Sequence, residues 1–329
     1  MQQRDLAADL GFQIPSRPAR FAAPERRLAL SSASSCAFAH VGHLFLAMLA
    51  LEPRAPGNLV ASRFARSGFN SLSYGRSVRF VDLSGPIRQS PPDLIEPLRT
   101  EIVYSDHSEG AAQIQALFGV PPELLRAGEG WSNEEFTKLG THSTTHVDAP
   151  RHYNSTIQGR PAQAIDELPL EWFHSDGVVL DMAHKEDGDA VTAAEVEAEL
   201  DRIGHDLEEL DIVLVRTGRD AFVDQLDYMA RGPGVTADAT RWLFDRGVRV
   251  MGVDAWGWDA PLHIQAQRAL EAGQAGVFWE AHQADLPYSQ IERLVNLGAL
   301  PATGFTVACF PLRIEGASGA PARVVAMVP

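Results

Sequence analysis

Short apolar runs rich in β-branched residues alternate with amphipathic segments along the C-terminal three-quarters of the chain. Runs of this kind, bounded by turn-forming residues, predict β-strands. Their alternation with helical segments is typical of a single mixed α/β domain. We therefore predict strands at residues 78–83, 178–182, 212–217, 248–254, 306–310 and 323–328.

Two amphipathic helices are predicted from their end signals. Thr192 and Glu195 have the spacing of a capping box, ahead of an apolar stripe that begins at Val196. A second helix is expected over residues 236–246, where Gly247 supplies a natural C-terminal cap.

The first 75 residues differ from the rest of the chain. They contain eight arginines and four acidic residues, and their apolar stretch at 36–51 spans 16 residues. A membrane-spanning helix needs about 20. Three interpretations stay open for this segment: a poorly ordered extension, a docked amphipathic helix, or a secretion signal. We place the boundary near residues 73–76, so that 1–75 form an N-terminal extension and 76–329 a single domain.

Composition excludes several classes of protein. The 329 residues include 28 Lys and Arg against 43 Asp and Glu, a net charge of −15 that argues against nucleic-acid binding. The hydrophobic fraction of 45% is that of an ordinary globular protein, and no membrane association is expected. Two cysteines, Cys36 and Cys309, cannot build a disulfide framework, which favours a cytoplasmic location. A bound metal would need histidine and carboxylate ligands.

Three of the eleven histidines lie within eleven residues, in the pattern His142-x3-His146-x-Asp148-x3-His152. On a helix, Asp148 would point about 200° away from His146. On a strand, residues 142, 144, 146 and 148 would share one face. The β-branched residues between the histidines, and the proline at 150, favour the strand. We therefore predict that two imidazoles and a carboxylate converge.

Imidazole and carboxylate ligands together suit a divalent transition metal, zinc or manganese. Three protein ligands leave coordination positions for a water of lowered pKa, which is a hydrolytic nucleophile. His152 would be a further ligand or a general acid/base. The alternative interpretation is a group of ordinary histidines that bind no metal.

Residues 142–152 resemble the signature H-x-G-T-H-x-D-x-P-x-H of the metal-dependent cyclase family. This family includes bacterial kynurenine formamidases, isatin hydrolases and a lactone-opening trans-dienelactone hydrolase. The histidines, Asp148 and Pro150 match the signature, whereas Thr144 stands where the signature has glycine. The resemblance implies a swivelling β/β/α domain with a mixed, partly barrel-like sheet flanked by helices, and a homodimer or homotetramer.

The resemblance extends to the C-terminal region. His282, and Glu292 within the segment 290–297, are similar to the distal histidine and glutamate of the family, although the interval of ten residues is shorter than expected. The resemblance implies that these two residues complete the site, holding the same ion or a second one about 3.5–4 Å away. We expect His152 and Glu292 to act in catalysis. The expected metal ligands are His142, His146, Asp148, His282 and Glu292.

Other residues admit two interpretations each. Asp254, at the end of a strongly apolar run, would either line a pocket or cap neighbouring backbone. Four aromatic residues would form either an aromatic pocket wall or part of the core: Trp131, Phe136, Tyr153 and Trp279.

The leading functional hypothesis is a metal-dependent hydrolase of an amide, formamide, cyclic imide or lactone, acting on a small planar or cyclic substrate through a metal-activated water. A second hypothesis is a non-catalytic metal-binding or ligand-binding protein on the same scaffold, with a coordinatively closed site. A third is an oligomeric structural protein with a vestigial site and no metal.

Overall fold

The computed structural model describes residues 78–329, with the exception of 93 and 95. The predictions for residues 1–75, including the apolar stretch at 36–51 and the boundary near 73–76, lie outside the described residues. Cys36 also lies outside them.

The described residues form fifteen strands and five α-helices. The strands are β1 (Arg79–Asp82), β2 (Glu101–Ser105), β3 (Asn133–Lys138), β4 (His146–Asp148), β5 (Thr156–Ile157), β6 (Arg160–Pro161), β7 (His174–Asp181), β8 (Ala190–Val191), β9 (Ile212–Arg216), β10 (Gly234–Val235), β11 (Val250–Val253), β12 (Ser289–Glu292), β13 (Phe305–Ala308), β14 (Gly319–Pro321) and β15 (Val325–Val328). The helices are α1 (His107–Phe118), α2 (Pro150–Tyr153), α3 (Ala193–Ile203), α4 (Ala237–Asp245) and α5 (Leu262–Ala272).

Nine of the strands form one mixed sheet in the order β1-β15-β13-β7-β9-β11-β12-β4-β14. Strands β7, β9, β11 and β12 are parallel to one another. On both sides of this parallel centre, the outer strands of the sheet pair with their neighbours in antiparallel fashion. The sheet curls into a half-barrel flanked by helices, which confirms the predicted fold class. All six predicted strands are present in this sheet, with ends shifted by at most a few residues.

Both faces of the sheet are covered by apolar side chains. In β9, Val213 and Val215 pack into the core cluster that includes α3 and α4, whereas Ile212 and Leu214 pack into a second cluster on the opposite face. Parallel strands covered on both faces become continuous apolar runs rather than alternating ones. This explains why the central strands were recognisable from the sequence.

The two predicted helices are confirmed with their caps. Thr192 caps α3 in a capping box with Glu195, and Thr236 caps α4, which Gly247 follows in a left-handed conformation (φ 94°). In the part of the chain that the structure covers, no helix has the length and apolar character needed to cross a membrane.

Asp254 ties together the ends of two neighbouring parallel strands. Its buried carboxylate accepts hydrogen bonds from the backbone N–H and the hydroxyl of Thr217, both at 2.6 Å, and from the Gly218 N–H at 2.9 Å. These donors directly follow β9, while Asp254 directly follows β11. The structure therefore supports the capping interpretation of Asp254 over the pocket interpretation.

Replacing Asp254 by Ala is expected to lower the free energy of unfolding by about 3 kcal/mol, because buried donors would lose a charged acceptor. Chemical denaturation of the purified protein measures this loss. Asp245→Ala, at the exposed end of α4, is the matched control and should change stability by less than about 0.5 kcal/mol. Equal effects of the two substitutions would contradict the role of Asp254 in joining the ends of β9 and β11.

Candidate metal centre

The register between β4 and β12 brings four polar residues to one face of the sheet. In this antiparallel pair, His146 lies opposite Glu292 and Asp148 lies opposite Gln290. Residues two apart on a strand share a face, so all four side chains are neighbours. All four are buried. A polar group buried between two β-strands is costly unless its hydrogen bonds or charges are satisfied.

His146 presents an unprotonated nitrogen to two carboxylates when it is neutral. Its Nδ1 donates a hydrogen bond to the Thr144 carbonyl at 2.6 Å. Its Nε2 lies 3.1 Å from Asp148 Oδ1 and 3.6 Å from Glu292 Oε2, yet it is buried and forms no hydrogen bond. An imidazole lone pair that faces carboxylate oxygens in a buried site requires a proton or a metal cation between them.

His282 is held in the same manner from the opposite direction. Its Nδ1 donates to Asp259 Oδ2 at 2.5 Å. Its Nε2 lies 3.9 Å from Asp148 Oδ2 and 3.6 Å from Glu292 Oε1. Burial lowers the pKa of His282, but Asp259, Glu292 and Asp148 together outweigh it and raise the pKa to about 9. The surrounding carboxylates thus attract positive charge to this point.

Asp259 is a site residue that the sequence did not indicate. Besides orienting the imidazole, its carboxylate accepts the backbone N–H groups of Ala281 and His282 at 2.9 and 3.1 Å. A carboxylate that fixes the tautomer and orientation of a histidine is common behind metal sites. Nothing in the spacing of Asp259 and His282 along the chain distinguishes this aspartate from a surface residue.

The prediction that a strand carries residues 142–148 was wrong for its first half. Strand β4 begins at His146, and the preceding residues form turns, in which the Ser143 N–H donates to the Gly140 carbonyl at 3.1 Å. Strand β14 pairs with β4 only opposite residues 146–148. Among the described residues, the regular strand pairing therefore ends at His146, although the Thr145 carbonyl still accepts the Ala322 N–H at 3.2 Å, and the turn conformation replaces the strand.

His142 nevertheless reaches the site from this turn. Its Nδ1 lies 2.7 Å from Asp148 Oδ1, and its Nε2 lies 3.0 Å from the Ser318 hydroxyl. The imidazole crosses directly over Gly319, where a Cβ atom would lie 2.6 Å from His142 Cε1. The close approach requires glycine at this position of β14.

His152 lies at the edge of the cluster, on the short helix α2. Its Nε2 is 4.0 Å from Asp148 Oδ2, and its ring stacks on His142 with the centroids 4.0 Å apart. Burial is the largest influence on the His152 pKa and lowers it to about 4, although the Asp148 carboxylate opposes the shift. A histidine with this pKa is neutral near pH 7, so one of its ring nitrogens stays unprotonated.

The two carboxylates lie between the histidines. Each carboxylate directs one oxygen towards His146 and the other towards His282, and Glu292 Oε1 also accepts the Trp258 N–H at 3.0 Å. Burial and the Asp148 charge raise the pKa of Glu292. Burial also acts to raise the pKa of Asp148, but His146 and His142 hold it well below its usual value.

The donor atoms fit a divalent metal. His142, Asp148 and His152 form one possible ligand group, and His146, Asp148 and Glu292 form another. Two buried atoms in these groups, His146 Nε2 and Asp148 Oδ2, form no hydrogen bond with the described residues. Nitrogen and oxygen donors in this combination suit zinc or manganese better than the all-oxygen shells that calcium and magnesium prefer.

A cavity of about 330 Å³ opens over the cluster, and Trp256 and Trp279 are among its lining residues. Trp279 stacks on the His282 ring with the centroids 4.6 Å apart. Of the other predicted wall residues, Tyr153 is buried in the core, whereas Trp131 and Phe136 are exposed and do not line this cavity. Of the four aromatic residues predicted as a pocket wall, Trp279 lines the cavity and the other three do not. Trp256, which was not among the four, also lines it.

Comparison with known proteins places this fold and site in a family. A family model described as "Putative cyclase" matches residues 81–260. The chain is 30% identical to isatin hydrolase of Roseibium aggregatum, over 82% of this chain and 99% of that protein. It is 31% identical to kynurenine formamidase of Salinibacter ruber, over 57% of this chain and 76% of that protein.

Solved structures agree with the sequence comparisons. Isatin hydrolase A from Ralstonia solanacearum has 26% identity and a TM-score of 0.56, over 77% of this chain and 92% of that one. An isatin hydrolase bound to the product analogue thioisatinate has 25% identity and a TM-score of 0.55, over 77% of this chain and 93% of that one. The chain belongs to the putative cyclase family.

Proposed function

We propose that this protein is a metal-dependent hydrolase that cleaves the carbon–nitrogen or carbon–oxygen bond of a small amide, formamide, cyclic imide or lactone. The observation that carries the proposal is the buried set of His146, Asp148 and Glu292 beneath a cavity. Similarity to isatin hydrolase and kynurenine formamidase supports the type of bond. The aromatic residues that line the cavity favour a planar or cyclic substrate.

Five residues are proposed to hold the metal: His142, His146, Asp148, His282 and Glu292. The chemistry that a divalent ion supplies there is Lewis acidity, which polarises a carbonyl oxygen and acidifies water near neutral pH. The carbonyl of Thr144 and the carboxylate of Asp259 fix the protonated nitrogens of His146 and His282, so that the opposite nitrogens face the carboxylates. Glu292 is additionally held by the Trp258 N–H.

His152 is proposed to move the proton during water attack. It is half-buried, neutral near pH 7, and lines the cavity beside the cluster. In this role His152 Nε2 accepts a proton from the attacking water and returns it to the leaving nitrogen or oxygen. The closed site of a non-catalytic binding protein would need no such group.

The identity and number of ions are part of the proposal. Zinc or manganese suits the mixed nitrogen and oxygen donors. Asp148 and Glu292 each direct their two oxygens to opposite sides, and these donors would suit either one ion or two. We also propose, from the family resemblance and the low cysteine content, a cytoplasmic homodimer or homotetramer.

Removal of a central ligand tests the metal centre. His146→Ala should reduce the metal content from one or two equivalents per chain by at least about tenfold, because one donor and its orienting contact are lost. Elemental mass spectrometry of protein purified without added metal or a histidine tag provides the measurement. His184→Ala, an exposed histidine outside the cluster, is the control. Undiminished metal in His146→Ala protein would refute the assignment.

Measuring both kcat and metal content distinguishes a proton-transfer role of His152 from a role as a metal ligand. His152→Ala should lower kcat by about 10²- to 10⁴-fold while the metal content stays unchanged. The assay uses N-formyl aromatic amines, cyclic imides and lactones, with His174→Ala, at the exposed start of β7, as control. If metal is lost in parallel with activity, His152 is a ligand and not the proton-transfer group.

Asp259→Asn tests the orienting carboxylate. The substitution preserves shape but removes the charge that fixes the His282 tautomer, so the metal dissociation constant should rise about 10- to 100-fold. Competition with a chromogenic chelator measures the affinity. Asp245→Asn, an exposed control, should bind metal as the unmodified protein does. An unchanged affinity in Asp259→Asn protein would show that His282 needs no orientation from Asp259.

A further inference from the structure

A buried arginine adjoins the metal centre without a counter-ion. Arg293 follows Glu292 directly, and only 8% of its surface is exposed. Its guanidinium lies 3.5 Å from the centroid of the Trp256 ring, and its Nε makes a long contact of 3.5 Å with the Trp256 carbonyl. Within residues 78–329, as far as the structure describes them, Arg293 forms no ion pair with a carboxylate. Arginine stays protonated in proteins, so this charge is permanent.

The neighbouring carboxylates are directed elsewhere. Glu292 points its two oxygens at His146 and His282, and Asp148 does the same. Neither acid therefore neutralises Arg293 through a direct contact. A guanidinium that is buried beside a stacked tryptophan, with one long carbonyl contact and no carboxylate partner among the described residues, is costly for the fold. Such a cost is expected where a ligand supplies the missing partner.

The backbone aims Arg293 at the cavity. Along an uninterrupted strand, Glu292 and Arg293 would point to opposite faces of the sheet. Arg293 instead has φ 59°, a left-handed conformation that is unfavourable for a residue with a Cβ atom. The Thr145 hydroxyl donates to the Arg293 carbonyl at 2.6 Å, and the Arg293 N–H donates to the Ala255 carbonyl at 3.1 Å. As a result, both residues line the same cavity.

Arg293 also borders a second, larger cavity. This outer cavity has a volume of about 550 Å³ and shares Leu98, Met229, Trp256 and Arg293 with the 330 Å³ cavity over the metal centre. Arg88 lines the outer cavity too, but its guanidinium pairs with Asp224 at 2.9 Å. Among the described arginines that line these two cavities, Arg293 is the one without a carboxylate partner, and it lies at the junction between them.

We propose that Arg293 binds a carboxylate that the substrate carries in addition to its scissile bond. The guanidinium fork matches a carboxylate, and hydrogen bonds between charged partners are about twice as strong as neutral ones. The outer cavity accommodates the part of the substrate beyond the reacting group. This inference rests on the proposed hydrolase function, because it names the substrate class of the same site.

Binding of matched ligand pairs tests the proposal without turnover. Isothermal titration of the metal-loaded protein compares isophthalate with 3-carbamoylbenzoate, and glutarate with glutaramate. Each pair differs by one carboxylate, which is replaced by an amide of equal shape. In the unmodified protein, at least one dicarboxylate should bind about 10- to 100-fold more tightly than its amide. Ratios near one for both pairs would overturn the proposal.

Variants of Arg293 and Arg88 show which arginine causes the difference in affinity between a dicarboxylate and its amide. In Arg293→Gln protein the ratio should fall to near one, and in Arg293→Lys protein it should be intermediate, since lysine keeps the charge but loses the fork. Arg88→Gln, the paired arginine of the outer cavity, should retain the full ratio. Metal content and circular dichroism verify that each variant is folded and metal-loaded. If Arg293→Gln does not fold, the comparison is made with Arg293→Lys alone. An unchanged ratio in the Arg293 variants, or its loss in Arg88→Gln, would overturn the assignment.

A last pair of ligands distinguishes a substrate carboxylate from the carboxylate that hydrolysis generates. If Arg293→Gln weakens benzoate relative to benzamide as much as it weakens isophthalate relative to 3-carbamoylbenzoate, Arg293 holds the nascent product, and the proposal is wrong. An effect confined to the dicarboxylates supports it. Failure of the hydrolase proposal would be seen separately, as absent turnover by metal-loaded protein that still distinguishes the ligand pairs, because these titrations require no reaction.

Discussion

The pairing of β4 with β12 is the constraint on which the site depends. It sets His146 opposite Glu292 and Asp148 opposite Gln290, on a buried face beneath the cavity of about 330 Å³. A shift by one residue would turn every one of these side chains to the other face. The register is secured from both sides of β4, because β14 pairs with the same three residues. A short strand thus carries the chemistry, and the large parallel sheet behind it supplies rigidity.

This burial also dictates the electrostatics of the site. Two carboxylates and two imidazole nitrogens face one another, and each imidazole already donates its proton elsewhere, to the Thr144 carbonyl and to Asp259. Such a group is stable only if positive charge enters it, as protons on the histidines or as a metal cation. The pKa of His282 and the pKa of Glu292 are both raised, which means that the site favours bound positive charge on both groups. A divalent ion held by these donors would satisfy it without protonation of the histidines.

Much of this arrangement could be predicted from the sequence, and the remainder has identifiable causes. The parallel strands are recognisable because burial on both faces makes them continuous apolar runs, and α3 is recognisable because its cap is local. The cluster at 142–152 is local as well. His282 and Glu292 were predicted only from the family resemblance. They are distant in the sequence from residues 142–152, so the spacing of residues along the chain does not reveal that they are close in the fold. His142 was misplaced on a strand because residue preferences could not reveal that the regular strand pairing of β4 ends at His146.

Arg293 illustrates a different limit, since its position depends on a single backbone angle. Alternation along β12 would place it behind the sheet, away from Glu292. The left-handed turn at 293 reverses this and brings Glu292 and Arg293 into one cavity, the first as a candidate ligand and the second as a cation without a carboxylate partner in the described part of the chain. The cluster of candidate ligands and the charge of the cavity are therefore linked by adjacent backbone positions, and the Arg293 charge also opposes the rise in the Glu292 pKa that burial causes. A substitution at position 293 would change the charge that an entering substrate meets while leaving every proposed donor atom of the cluster in place.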